Sequence, residues 1–185
     1  MSRKVLVPVA DGCEEIEAVT IVDVLRRAGA QVTVASVDDL RVTASRGVKL
    51  VADRLVKECL DESFDLVVLP GGMPGAEHLR DSPELAELLK GQKEQRKLYG
   101  AICAAPAVVL EHHGLLEGLR ATGHPSFAER LDRSQDADSR VVVDGGCATS
   151  QGPGTAMEFA LKLVELLYDK AKADDIARAM VVKED

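Results

Sequence analysis

The sequence predicts an α/β fold in which a mainly parallel sheet is covered by helices on both faces. Three observations carry that expectation. Short, continuously apolar runs such as Val5-Leu6-Val7 and Leu66-Val67-Val68-Leu69 recur along the chain. Segments with helical apolar spacing separate them. The runs show no polar alternation, and strands that are apolar on both sides belong to sheets buried on both faces.

Residues 5–10 read as the first strand. Residues 14–28 follow as a helix, with Ile16, Val19, Ile21, Val22 and Leu25 at roughly helical spacing and Gly29 as its stop. Residues 31–37 form a second strand, and residues 42–51, centred on Arg46-Gly47, a short hairpin or irregular excursion. Residues 64–69 form a third core strand that ends in Pro70-Gly71-Gly72. Residues 83–95 are helical, with Ser82 as N-cap. A buried strand over 97–100 leads through a sharp turn into a helix that opens at 107–110. Pro106 suits that helix start, where backbone N–H groups have no intrahelical partner. Residues 140–144 and 148–150 read as short strands around Gly145-Gly146. Residues 155–168 are a strongly apolar helix and residues 174–180 a shorter one. No internal repeat or linker breaks this order, so residues 1–185 are expected to form one domain.

The composition, 46% hydrophobic and 29% charged, suits a soluble globular chain. A net charge of −8 argues against nonspecific attraction to nucleic acid or an anionic membrane. Aromatic residues are 3% of the chain, too few for base-stacking platforms. The longest apolar runs have the length of strands, far below the roughly 20 residues of a spanning helix. The opening Met1-Ser2-Arg3-Lys4-Val5-Leu6-Val7 lacks the long core of a signal peptide. Cytoplasmic residence is therefore expected, and organelle targeting stays open if a precursor segment precedes Met1. The scattered Cys13, Cys59, Cys103 and Cys147 show no C-x-x-C pair and no zinc spacing. That favours a reducing compartment, and neither a metal nor a cofactor is expected.

The chemistry centres on Cys103. It sits between the strand and the helix, with small residues two before (Ala101) and two after (Ala105). This is the pattern of a nucleophile elbow. The helix start offers free N–H groups and a positive dipole end, which predict a thiol lowered into the range of roughly 3.5–7.5. In parallel sheets, sites form beyond the carboxyl ends of the strands. Residues 10–15, 69–72 and 102–104 all arrive there. The N–H groups of Gly71, Gly72 and Ala104 are candidates for an oxyanion or anion site.

Glu14 and Glu15 read as solvated charges at a helix start. Glu17 either belongs with them or points into the cleft. In the cleft, burial and a neighbouring thiolate would keep it protonated, able to donate to sulfur and to shuttle protons. His124 is the strongest histidine candidate, and His112-His113 read as polar caps. Thr155 reads as the N-cap of the long apolar helix. Cys13 reads as an incidental small residue ahead of a resolving cysteine.

Together, Glu14-Glu15-Ile16-Glu17, Leu69-Pro70-Gly71-Gly72, Ala101-Ile102-Cys103-Ala104-Ala105-Pro106 and Ser150-Gln151-Gly152-Pro153-Gly154-Thr155 resemble the ThiJ/PfpI superfamily. The likeness is closest to the branch that holds the human Parkinson-disease protein and its bacterial and plant relatives. It spans nearly the whole chain, in order. It implies a flavodoxin-like three-layer sandwich and a homodimer with the first helix at the interface. It implies Cys103 as the reactive cysteine, Glu17 as its protonated partner, and the Gly72 and Ala104 N–H groups as the anion site. His124 corresponds to a histidine near the sulfur, and Arg27 and Arg46 to basic positions at the dimer and the site entrance. Gln151 stands where some relatives have Arg, which weakens a charged anion pocket there, and Gly123 stands where others carry Thr.

Members of the family resemble glutathione-independent glyoxalases, also classed as D-lactate dehydratases. The first expectation is thus an enzyme that converts methylglyoxal and related 2-oxoaldehydes to 2-hydroxy acids through a Cys103 hemithioacetal. The second is an oxidative-stress sensor, protein deglycase or chaperone working through oxidation-prone Cys103. A cysteine peptidase or amidase using His112, His113 or His124 as base stands third.

Overall fold

The computed structural model describes residues 2–131 and 138–183. Seven strands form one sheet in the order β5-β2-β1-β6-β7-β9-β8. They are β1 (Lys4–Val9), β2 (Gln31–Ser36), β5 (Arg54–Leu55), β6 (Leu66–Leu69), β7 (Leu98–Ile102), β8 (Val141–Asp144) and β9 (Cys147–Ser150). Every pairing is parallel except β8 with β9. Those two strands are joined through Gly145 and Gly146, both at positive φ, as a two-residue hairpin turn requires. A separate antiparallel hairpin, β3 (Arg41–Thr43) with β4 (Lys49–Val51), is the excursion expected around Arg46-Gly47.

Strand residues alternate between the two faces. Leu6, Val67, Leu69, Tyr99 and Ala101 face one core with Ala76, Leu79, Leu85 and Leu89. The last four come from α2 (Gly75–Asp81) and α3 (Pro83–Glu94). Val5, Val7, Leu66, Val68 and Ile102 face the other core, covered by α1 (Glu15–Arg27), α4 (Ala156–Leu167) and α5 (Lys170–Ala179). This arrangement is the flavodoxin-like sandwich expected from the strand pattern and the resemblance.

Local chemistry fixes most boundaries. Ser82 Oγ accepts the Leu85 N–H at 3.2 Å and caps α3 as expected. α5 begins four residues before the expected Asp174, because Asp169 accepts the Lys172 N–H at 2.8 Å and caps it there. Its first turns are polar, so apolar spacing alone does not reveal them. α2 was not expected either, since in seven residues it buries only Ala76 and Leu79 as apolar anchors. The helix after the elbow, Pro106–Glu111, is π-helical rather than α-helical. Thr155 is a further correction: its hydroxyl makes no capping bond to α4.

Candidate active site

Cys103 sits beyond the end of β7 with φ +66°, a left-handed conformation that an L-residue adopts only where its surroundings enforce it. Two bonds hold it. The Cys103 N–H donates to the Ser150 carbonyl at 3.0 Å, and the Cys103 carbonyl accepts the His124 N–H at 2.8 Å. Ala101 and Ala105 are fully buried beside the turn, which explains their size.

Glu17 projects from the first turn of α1 and is fully buried. Its Oε2 accepts the Gly71 N–H at 2.7 Å. Its Oε1 is buried and has no hydrogen-bond partner. The carboxyl and the Cys103 thiol nonetheless perturb one another. Burial raises Glu17 to about 7, the Gly71 N–H and the Cys103 side chain oppose the rise, and the charge of Glu14 adds to it. Burial pushes the Cys103 thiol up to about 12, and the Glu17 charge adds to that. The Gly72 and Ala104 N–H groups pull the thiol back down.

This corrects the expectation of a thiol lowered by the helix start, because burial and the Glu17 charge outweigh the two amides. Protonating Glu17 removes its charge as an upward cause while leaving both amides in place. Near neutrality Glu17 is thus close to its own titration point, and its protonation state sets the charge that faces the sulfur.

The three candidate amides do different jobs. The Gly72 and Ala104 N–H groups face the sulfur. The Gly71 N–H is committed to Glu17, so Gly71 orients the acid and is not an oxyanion donor. The Gly-rich loops meet backbone to backbone. A Cβ on Gly72 would lie 2.5 Å from Glu14 N, and one on Gly75 would lie 2.3 Å from Cys13 N. The close approach at Gly75 was not read from the sequence, although Gly71-Gly72-Met73-Pro74-Gly75 shows a second small residue near the first pair.

Glu14 and Glu15 are buried, contrary to the solvated reading. Ser45 Oγ lies 2.8 Å from Glu14 Oε2 and 3.0 Å from Glu15 Oε2, and the Arg46 N–H donates to Glu15 Oε1 at 2.9 Å. These bonds dock the hairpin tip on the start of α1. Sequence reading gave Ser45 no role, and its position beside Arg46-Gly47 in a turn is the one available signal.

His124 reaches the site through its backbone. Its Nδ1 accepts the Ser126 N–H at 3.2 Å and so caps a short 3₁₀ turn, Pro125–Arg130. Arg46 is exposed at the hairpin tip. Arg27 pairs with Asp23 at 2.8 Å in the last turn of α1, ten residues from Glu17. At the helical rise that is about 15 Å, so within one chain Arg27 does not reach the thiol. His113 Nε2 lies 2.9 Å from the Arg80 carbonyl and links the elbow helix to α2 instead of capping its own helix. Cys13 is buried beneath the hairpin with Val9, Ala18 and Val42, and burial pushes its thiol up to about 11. Among the described residues, no three His, Cys, Asp or Glu side chains are grouped to hold a metal.

A cysteine forced into a left-handed turn above a parallel sheet, with a buried acid beside it, places the chain among elbow-cysteine proteins of the flavodoxin-like class. The family follows from comparison: the chain belongs to the DJ-1/PfpI family, whose model matches residues 3–166. It is 51% identical over 180 residues to protein DJ-1 homolog B of Arabidopsis thaliana, covering 97% of this chain and 41% of that protein. The chain thus spans less than half the length of that plant relative. It is 38% identical over 181 residues to a Caenorhabditis elegans protein named glutathione-independent glyoxalase DJR-1.2, covering 97% of this chain and 95% of that one. The solved structure of oxidized Toxoplasma gondii DJ-1 matches with a TM-score of 0.96 and 50% identity, covering 99% of this chain and 100% of that one.

Proposed function

We propose that the protein is a glutathione-independent glyoxalase of the D-lactate dehydratase type, acting on methylglyoxal and related small 2-oxoaldehydes. The observation that carries this reading is the buried Glu17 carboxyl coupled to the elbow thiol, with Oε2 held by the Gly71 N–H and Oε1 taken by no other group. That carboxyl can exchange a proton with the thiol and with a bound substrate. The name of the Caenorhabditis elegans relative agrees with it.

The chemistry balances within the substrate. Cys103 passes its proton to Glu17 as sulfur bonds to the aldehyde carbon, and that proton goes on to the aldehyde oxygen to give a hemithioacetal. The Glu17 carboxylate then removes the proton from the former aldehyde carbon and passes it to the ketone oxygen as the electron pair shifts, which gives an enediol. Glu17 next takes the proton of the hydroxyl on the sulfur-bearing carbon and returns it to the former ketone carbon, which gives the thioester of the 2-hydroxy acid. The Gly72 and Ala104 N–H groups stabilise the oxyanion. Water cleaves the thioester and restores the thiol. One carbon is oxidised and its neighbour reduced, so glutathione and external redox carriers have no part in the sum.

The test is turnover of methylglyoxal by the purified protein with a chelator present and glutathione absent. Cys103→Ala is expected to abolish it, and normal activity in that variant overturns the reading.

One observation favours a second role, as an oxidation sensor. Cys103 is half-buried, whereas Cys13, Cys59 and Cys147 are buried, so peroxide meets Cys103 first. The peptidase reading gains no support, because His124 Nδ1 is occupied by the Ser126 N–H.

A homodimer through the first helix belongs to the same proposal. Ile16 and Val19 on α1 are 54% and 51% exposed, and Val51 on β4 is 72% exposed, an apolar face at the foot of the site. The resemblance sets Arg27 near the dimer and the site entrance, so in this proposal a partner's copy of Arg27 serves the entrance. No helix of the described residues is long and apolar enough to cross a membrane.

A further inference from the structure

We propose that Thr155 and Ser150 are positioning residues for Cys103, their buried hydroxyls forming a one-way hydrogen-bond relay that fixes the strand end to which the elbow is tied. The kinetic consequence rests on the glyoxalase reading, whereas the effect on the thiol does not.

Proton counting sets the direction of the relay. Ser150 and Thr155 are 0% and 4% exposed. Ser150 Oγ lies 2.7 Å from the Arg140 carbonyl and 2.6 Å from Thr155 Oγ1, which in turn lies 3.1 Å from Gly152 N. The Gly152 N–H can only donate, the Arg140 carbonyl can only accept, and each hydroxyl carries one proton. All three contacts are satisfied when Gly152 donates to Thr155, Thr155 to Ser150, and Ser150 to Arg140. Thr155 Oγ1 also lies 3.0 Å from the Gly152 carbonyl, but its contact to Ser150 Oγ is shorter, at 2.6 Å, and a proton directed to Ser150 leaves only the longest of these oxygen–oxygen contacts without a hydrogen. Bonds that run in one direction polarise and reinforce each other.

The end of β9 is where the elbow is held. The Ser150 carbonyl takes the Cys103 N–H. Next to it, Thr149 Oγ1 accepts the Thr122 N–H at 2.9 Å, on the segment leading to His124, whose N–H holds the Cys103 carbonyl. Gly152 walls the same place, since a Cβ there would lie 3.5 Å from the His124 ring. A left-handed cysteine persists only while several contacts dictate it together. Without the relay the Ser150 carbonyl gains freedom, Cys103 relaxes, and the sulfur leaves its register with Glu17.

The experiment compares parent, Thr155→Val and Thr155→Ser. It reads the pH profile of Cys103 alkylation by iodoacetamide, located by mass spectrometry, together with kcat and KM for methylglyoxal and a thermal melt. Thr155→Val is expected to shift the alkylation profile and lower kcat by roughly tenfold or more while KM stays near the parent value. Thr155→Ser, which keeps the hydroxyl, is expected to restore both. If Thr155→Val does not fold, Ser150→Ala breaks the same relay one link further on and carries the same expectation. A parent-like profile and kcat in either folded variant overturns the proposal. A parent with no methylglyoxal turnover whose alkylation still depends on Thr155 overturns the glyoxalase reading and supports the relay.

Discussion

A Cβ added to Gly71 would lie 2.6 Å from the Cβ of Cys103. The turn after β6 and the elbow after β7 therefore touch with no space between them. The same glycine sends its N–H to Glu17 Oε2 at 2.7 Å. One residue thus sets the separation of nucleophile and acid, through its missing side chain on one side and its amide on the other.

Gly71→Ala tests that relationship. The added methyl would also lie 2.8 Å from the Ile102 carbonyl and 2.9 Å from Ala104 N, and these are backbone atoms that cannot swing away. The expected cost is about 1–3 kcal/mol of stability, as for other overpacked sites. Turnover of methylglyoxal should fall more steeply than stability, because the loop shift moves Glu17 and the Gly72 amide together. A melt and an activity assay on the same preparation check this, and parent-like values in both contradict the contact.

How much of this was legible in the sequence depended on the kind of interaction. The sheet was legible because runs such as Leu66-Val67-Val68-Leu69 are buried on both faces and carry that fact in their composition. The elbow was legible because Ala101 and Ala105 had to be small. The orientation of Glu17 was not legible: Glu14, Glu15 and Glu17 look alike in sequence, and all three are buried for different reasons. Two are tied to the hairpin through Ser45, at a separation of about thirty residues, and the third to Gly71, 54 residues away. The thiol's direction of shift was misjudged for a related reason. A helix start is visible in sequence, but the depth at which it lies is set by the whole packed layer. Thr155 shows the same limit, since its hydroxyl serves Ser150 and Gly152 and not the helix it precedes.

The raised Glu17 carboxyl makes stability depend on pH with a definite sign. Its ordinary value of 4.5 applies to the unfolded chain and about 7 to the folded one. Between those values the folded state holds a proton that the unfolded state has released, so stability falls as pH rises. The full contribution is present below 4.5 and is lost as pH passes 7. Its size is on the order of 3 kcal/mol. Glu17→Gln removes this group's titration while keeping an oxygen for the Gly71 N–H. Denaturant melts from pH 4 to 8 should show the parent losing stability relative to Glu17→Gln, and parallel curves would remove the shifted carboxyl from the account.

The same substitution separates nucleophilicity from proton transfer. With the acid's charge gone, the Cys103 thiol loses one of its upward causes, while the Gly72 and Ala104 amides remain. Ultraviolet titration of the thiolate should therefore place Cys103 lower in Glu17→Gln than in the parent. Methylglyoxal turnover should nevertheless disappear, because an amide cannot carry the proton between carbon and oxygen. A variant with unchanged thiol titration means the two side chains are not coupled, and a variant that still turns over gives the relay to another group.

Mild peroxide addresses the second role. Cys103 is expected to gain oxygen before Cys13, Cys59 and Cys147, because it is half-buried while burial shields the others. Mass spectrometry of the four cysteine peptides over a time course gives the order. Cys59 or Cys147 leading would count against a sensing role for the elbow.

The apolar face of α1 and the hairpin yields the last prediction. Val51 is 72% exposed on a strand, and Val19 is 51% exposed on the helix beside it, while Ala18 and Val42 beneath them are already buried. Burying this face against its own copy extends the small core under the hairpin by a hydrophobic contribution of roughly 25 cal/mol per Å² of apolar surface. Sedimentation should give the mass of two chains for the parent. Val51→Glu sets a carboxylate into that contact without touching the core, so it should give the mass of one chain with little change in the secondary structure. If Arg27 reaches the entrance only from a partner chain, the single-chain variant should also turn over methylglyoxal more slowly, and Arg27→Ala in the two-chain parent should slow it similarly. A parent that sediments as one chain, with full activity, removes both the interface and the borrowed arginine.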